Sequence, residues 1–183
     1  MIESYLAMRE IEAKILEINR LKVENILEAL GARKVFDGEM ETFLYDFEDG
    51  RIIKSGDVLR LRREEEKYVL TYKSVEKDKL AKTAEEYSVV VSDPDVMQEI
   101  LRRLNLVVID RILKRRVSYE LNGARIDIDR YLEKFDYVPE FLEIEAVSVD
   151  SIHECARILG FKAEDCLPWS TAQVIEHYSK KMK

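Results

Sequence analysis

Residues Met8-Arg9-Glu10-Ile11-Glu12-Ala13-Lys14-Ile15-Leu16-Glu17 alternate strictly. Glu10, Glu12 and Lys14 fall on one face, and Ile11, Ala13 and Ile15 fall on the other. A period of two is that of a β-strand, so the stretch is expected to be a strand with one apolar and one charged face. Working outward, the same pattern returns along the chain. Arg60 and Arg62 alternate with Leu59 and Leu61, and Lys73 ends a strand running Tyr68-Val69-Leu70-Thr71-Tyr72. Lys114 and Arg116 stand opposite Leu113 and Val117; Arg125, Asp127 and Asp129 alternate with Ile126 and Ile128; Glu143 and Glu145 alternate with Leu142, Ile144 and Ala146. One such strand would be an ordinary solvated face with cross-strand ion pairs. Five or more in one chain are better explained by a sheet that curls, with helices over its apolar outside and the charged faces turned inward.

The remaining punctuation supplies the elements. A helix is expected from Asn19 or Arg20 to Leu30, with Gly31 as its stop. Further strands are expected at 41–48, 57–65, 67–75, 82–92, 107–121, 124–131 and 140–148, with a turn at Asp49-Gly50, a tight hairpin around Glu66 and another at Asn122-Gly123. Ser92-Asp93-Pro94 opens a second helix, Asp150 begins a third that stops at Gly160, and Ser170 caps a fourth. The expected class is α+β: an eight-stranded antiparallel β-barrel, or tunnel, with about four helices packed outside, in a single domain over 1–183.

Composition narrows the function. The 183 residues carry 30 Lys and Arg against 37 Asp and Glu, a net charge of −7, and 46% of them are hydrophobic. That apolar content excludes intrinsic disorder. The acidic balance argues against nucleic acid as partner. No stretch approaches a membrane span and no leader pattern is visible at the start, so a cytoplasmic protein without a membrane partner is expected. Cys155 and Cys166 read as packed thiols in a reducing compartment. An apolar outer strand could support a homodimer.

A lumen lined by carboxylates, Lys and Arg would be costly if empty, because unpaired buried charge is heavily penalised. It is rational if a polyanion and a divalent cation fill it. Carboxylate pairs suit Mg²⁺ or Mn²⁺, and Arg and Lys suit phosphate. No Gly-rich phosphate loop is present, which removes the P-loop and dinucleotide-fold readings.

The stretch Glu10-Ile-Glu12-Ala-Lys14, followed in order by Leu59–Arg62, Leu70–Lys73, Lys114–Arg116, Ile126–Asp129 and Phe141–Glu145, resembles the CYTH superfamily of triphosphate tunnel metalloenzymes over about residues 8–178. That group includes class IV adenylyl cyclases, thiamine triphosphatases and inorganic triphosphatases. The resemblance implies metal ligation by Glu10, Glu12, Glu143 and Glu145 together with Asp127 or Asp129, between which the pattern does not choose. It implies phosphate binding by Lys14, Arg60, Arg62, Lys73, Lys114 and Arg116, with Glu10, Glu12, Lys14 and Lys73 as the catalytic set. The implied substrate is inorganic triphosphate, ATP or thiamine triphosphate. Hydrolysis is preferred, because Tyr137–Glu145 and Pro168-Trp169-Ser170 are more similar to the general prokaryotic branch than to the cyclases; cyclisation of ATP and non-catalytic binding are the alternatives. Departures from the family pattern fall on the fifth strand, where Glu86 is kept but Ser88 stands where a second acid is common, and on the second, at Glu39 and Glu41.

Other candidates receive blander readings. His153 and His177 are expected as helix-surface or half-buried residues, Trp169 as an apolar plug, and Tyr45 as a core residue rather than a proton donor. Lys77, Lys79 and Lys82 could steer an anion toward the tunnel or form an ordinary loop.

Overall fold

The computed structural model describes residues 8–64, 66–76 and 83–181, with only the backbone for residues 8–10, 64, 75, 76, 83 and 84. The loop lysines Lys77, Lys79 and Lys82 and the side chain of Glu10 lie outside the described residues. Eight strands are present: β1 (Met8–Ile15), β2 (Arg33–Asp46), β3 (Val58–Glu64), β4 (Lys67–Glu76), β5 (Thr83–Val91), β6 (Val107–Leu121), β7 (Ala124–Tyr131) and β8 (Phe141–Ala146). They form a closed ring in the order β1-β5-β4-β3-β2-β6-β7-β8, and every neighbouring pair is antiparallel. β1 closes the ring in a staggered way, pairing through Met8–Ile11 with β5 and through Ile11–Ile15 with β8.

Two meanders account for most of this order. β2 to β5 and β6 to β8 each run by short joins, as local turn chemistry favours. Asn122 and Gly123, both at positive φ (50° and 80°), make the two-residue turn between β6 and β7. This backbone matches the right-handed twist of the flanking strands, and Asn and Gly are the residues that adopt it.

Helices α1 (Arg20–Ala29) and α4 (Val149–Ile158) pack over the outer faces of β1, β8, β7 and β6. Val23 and Leu27 of α1, with Ile152, Cys155 and Ala156 of α4, meet Ala13, Ile15, Val117, Ile126, Ile128, Leu142 and Ile144 in one buried cluster. Helix α3 (Pro94–Arg103) covers β2 to β5 through Leu101 and Met97. Its cap is Asp93, which accepts from the amides of Asp95 and Val96. Tyr45 belongs to this second cluster, as its core reading required.

Two elements depart from expectation. The second strand was expected at 41–48 but begins at Arg33, eight residues earlier. Its first half, Arg33-Lys34-Val35-Phe36-Asp37-Gly38, lacks the apolar alternation that marks a strand. It is held instead by pairing along almost the whole of β6, with a register shift between Lys34 and Phe36. The turn expected at Asp49-Gly50 is followed by a short helix, α2 (Arg51–Ser55). The buried carboxylate of Asp46 organises it: Oδ1 accepts from the amides of Phe47 (2.7 Å) and Ile52 (2.9 Å), and Oδ2 from Ile53 (3.0 Å). Burial alone would raise the Asp46 pKa, but these three amide donors outweigh it and hold the group ionised below its usual range.

Replacing Asp46 by Ala should cost about 1–3 kcal/mol, because buried amides lose their acceptor. The sign follows from the lowered pKa: the stabilisation is present above the unfolded carboxylate range and is lost as pH falls through the folded pKa. Urea unfolding between pH 7 and pH 3 should show the wild-type advantage shrinking toward the acid end; an advantage independent of pH would contradict the ionised cap.

Candidate active site

Register sorts side chains into inward and outward sets without ambiguity. Opposite residues on paired strands share a face, and successive residues alternate. Starting from Glu12 and Lys14, the pairs Glu12↔Glu145, Lys14↔Glu143, Asp127↔Glu143, Arg116↔Asp129 and Lys73↔Glu86 all fall on the inner face. Arg60, Arg62 and Lys114 follow by the same rule, through Leu44, Thr42 and Met40 of β2. The structure therefore gathers Glu12, Lys14, Arg60, Arg62, Lys73, Lys114, Arg116, Asp127, Asp129, Glu143 and Glu145 in one lumen. β1 carries Glu10 on that same face by alternation, with its side chain outside the described residues.

The lining is not evenly mixed. Most carboxylates come from β7, β8 and β1, which are neighbours in the ring, and most cations from β3, β4 and β6; Glu86 of β5, Lys14 of β1 and Arg125 of β7 cross that division. β2, between β3 and β6, contributes uncharged positions, Phe36, Gly38, Met40, Thr42 and Leu44.

Ion pairs satisfy the deepest charges. Asp129, fully buried, accepts from Arg116 Nε and Nη2 (both 2.6 Å) and from Lys114 Nζ (2.6 Å). Arg116 also contacts Asp127 and, at 3.4 Å, Glu143. Lys14, 2% exposed, bonds Glu143 at 2.9 Å and Glu12 at 3.3 Å. Burial works against each charge, but the Lys14 and Arg116 cations hold Glu143 well below the usual carboxylate range. Lys114 goes the other way: burial and the nearby Arg116 cation lower it to about 8. Arg60 is lowered to about 10, first by burial and then by Arg62. Its buried Nε finds no hydrogen-bond acceptor among the described residues. That unmet donor on Arg60 is one a bound anion could accept from.

The sequence pattern undervalued Glu86. It takes Lys73 at 2.8 Å, Arg60 at 3.7 Å and the Ser88 hydroxyl at 2.9 Å, and Ser88 in turn meets Thr71 at 2.9 Å. Alternation of Glu86 and Ser88 against Glu85 and Tyr87 was the signal available. Phe36 was also missed. It faces inward opposite Ser118, and its ring would lie 3.1 Å from a Cβ placed on Gly38, so glycine there makes room for the ring. Glu41 turns outward, where it accepts from Arg111 Nε at 2.5 Å, and Glu39 lies on that same outer face.

The donor chemistry suits a hard divalent cation. Glu12 and Glu145 stand directly opposite each other in the β1–β8 ladder, and like charges so placed repel unless a cation lies between them. No group of three His, Cys, Asp or Glu side chains is gathered at ligating distance among the described residues; the carboxylates face Lys and Arg instead.

The chain matches the CYTH domain model over residues 8–165 and belongs to that family of triphosphate-tunnel proteins. It is 28% identical over 152 residues to the Methanocaldococcus jannaschii protein named "Putative adenylate cyclase MJ0240", covering 83% of this chain and 84% of that one. Among solved structures it is similar to the PH1012 protein of Pyrococcus horikoshii OT3, at 27% identity and a TM-score of 0.74, over 90% of this chain and 98% of that one. HpAC1 of Hippeastrum, a cyclase by name with a dominant triphosphatase activity, shares the fold at 18% identity and a TM-score of 0.68, over 92% of this chain and 95% of that one. No helix among the described residues is long and apolar enough to cross a membrane.

Asp129→Asn should destabilise the fold by about 3–5 kcal/mol, because Arg116 and Lys114 would lose their buried counter-charge. Chemical unfolding measures it, and a loss below ~0.5 kcal/mol would remove Asp129 as the anchor of the lumen.

Proposed function

We propose that this chain is a divalent-metal-dependent triphosphatase that takes an inorganic or organic triphosphate into the tunnel. The carrying observation is one lumen in which carboxylates predominate on β7, β8 and β1 and cations on β3, β4 and β6. A metal-bound phosphate chain is the guest whose two charges match the two walls.

Mg²⁺ or Mn²⁺ would be held by Glu12 and Glu145, with Glu10, Glu143 and Asp127 completing the set. Asp129, committed to Arg116 and Lys114, acts as their counter-ion. When bound, the metal neutralises phosphate oxygens and makes water a better nucleophile. Arg60, Arg62 and Lys73 offer donors to the chain from the far wall, and Lys14, Lys114 and Arg116 from the inner end. These groups sit in place before substrate arrives, so little reorganisation is needed as charge builds in the transition state. Water oxygen bonds to the terminal phosphorus, the bridging P–O bond breaks and its oxygen keeps the electron pair. One water proton stays on the orthophosphate and the other passes to solvent.

Cyclisation of ATP is the second reading, favoured by the name of the M. jannaschii relative; the activity of HpAC1 favours hydrolysis. Product analysis on tripolyphosphate, ATP and thiamine triphosphate separates them. Orthophosphate release that stops on chelation is expected, cyclic AMP with pyrophosphate would establish the cyclase, and no product from any substrate would leave a binding module.

Two variants test the walls separately. Glu12→Gln combined with Glu145→Gln should abolish metal-dependent turnover while circular dichroism stays native. Arg60→Ala should weaken tripolyphosphate binding by about 1.5–3 kcal/mol in calorimetry, the range for a charge-assisted hydrogen bond; unchanged affinity would move Arg60 off the phosphate path.

A further inference from the structure

The outside of the barrel is covered unequally. Helices α1 and α4 lie over β6, β7, β8 and β1, whereas β2, β3, β4 and β5 share one ten-residue helix, α3, and the five residues of α2. Ten of the thirteen large apolar side chains left exposed among the described residues lie on α2, β5, α3 and the start of β6, so the deficit falls on this second half.

Helix α3 carries two apolar stripes where one would hold it in place. Met97 and Leu101 turn to the barrel and join the cluster around Tyr45 and Leu61. Val96 (54%), Ile100 (46%) and Leu104 (58%) are left to water. Residues four apart line up along one side of a helix, so these three form a single ridge. The chain then turns at Asn105, whose φ is 63°, and enters β6, where Val107 and Val108 are also exposed. Here β6 pairs with β2, and β7 begins to pair with it only at Lys114. An apolar face therefore runs from α3 onto the start of β6, the kind of surface that marks an association site.

The charges beside the ridge select its occupant. The N-cap and first turn of α3 are acidic, with Asp93 and Asp95, and its last turn is basic, with Arg102 and Arg103. Between them Glu99 meets Arg102 at 2.6 Å and Arg103 at 2.7 Å. A two-fold axis through Ile100 sets an identical helix antiparallel to the first. Val96 then lies against Leu104 of the second copy, and the acidic turn of each helix lies beside the basic turn of the other. The helix dipoles oppose as well. A residue on such an axis meets its own copy, where a charge would repel itself; Ile100 is apolar.

We infer that this face is a homodimer interface, in which α3 packs antiparallel on α3 of a second copy about a two-fold axis near Ile100. The ridge with Val107 and Val108 supplies the apolar core that an interface of about 20–30 residues a side requires, and the charged turns supply its polar rim. Association would also press α3 onto the outer residues of β3 and β4, the strands that carry Arg60, Arg62 and Lys73 inward.

Sedimentation velocity on the full chain, from about 1 to about 100 µM, tests this. Wild type should reach twice the 21.5 kDa of one chain by ~20 µM, and its melting temperature should rise with concentration. Ile100→Glu sets like charges against each other on the axis and should weaken dimerisation at least ~30-fold, as expected of a central interface residue, with native circular dichroism. Leu21→Glu, at an exposed apolar position on α1, should leave the dimer unchanged. Charge exchange reports the orientation. Chains carrying Arg102→Glu with Arg103→Glu, or Asp95→Arg with Glu99→Arg, should each be monomeric alone and form heterodimers when mixed. A wild-type chain that stays monomeric at about 100 µM would overturn the interface. So would a dimer that Ile100→Glu leaves intact, or folded charge variants that do not associate when mixed.

Discussion

Arg116 lies among three carboxylates, Asp127, Asp129 and Glu143, and the inner face of the barrel depends on that contact. A guanidinium this deep is stable only if its donors are met, because the desolvation of an isolated charge exceeds what packing returns. The planar fork of Arg fits Asp129 with two parallel hydrogen bonds and still reaches the neighbouring strand. Strands β6, β7 and β8 are thereby held in a register that a shift of one residue would destroy, since every inward charge would turn outward. Lys14 extends the arrangement to β1 through Glu143, and so to the closure of the ring.

The outer face solves the complementary problem. Residues alternating with the charges are Ala13, Ile15, Val117, Ile126, Ile128, Leu142 and Ile144, and α1 and α4 cover them. The barrel is inverted relative to a soluble sheet that shows its polar face to water. Its hydrophobic core lies between wall and helices, which leaves the lumen free for electrostatics. Because most acids lie on β7, β8 and β1 and most cations on β3, β4 and β6, the lumen has direction across its width as well as depth. α5 (Thr171–Lys181) adds an axial asymmetry by packing over one end, where apolar side chains replace charge.

Much of this was legible from residue spacing. Glu10-x-Glu12-x-Lys14 and its successors display a period of two, and charge on the polar side of so many strands is hard to reconcile with an open sheet. Inward orientation followed directly from alternation. The early half of β2 was not legible, because Arg33–Gly38 has no apolar period and owes its strand to a long partner, β6. Helix α2 escaped notice because it is five residues long and its organising group, Asp46, acts from the end of the preceding strand. Glu86 could be read as inward but not as the partner of Lys73 and Arg60, since those contacts join residues 13 and 26 positions apart.

The sequence by itself determined which residues share a face, since side-chain alternation is a local property of the extended backbone. It also determined the chemistry of that face, because carboxylate, guanidinium and ammonium groups carry their charge wherever they fold. Only the tertiary structure decided strand order, and with it the separation of acidic from basic walls, because neighbours in the ring are often distant in the chain. It also decided that Asp129 is locked between Lys114 and Arg116 while Glu12 faces Glu145. The closed end was likewise a tertiary outcome: Trp169, Val174 and Tyr178 read locally as an ordinary amphipathic helix and its approach, and they become a plug only when Tyr131, Phe141 and Ile112 lie beneath them.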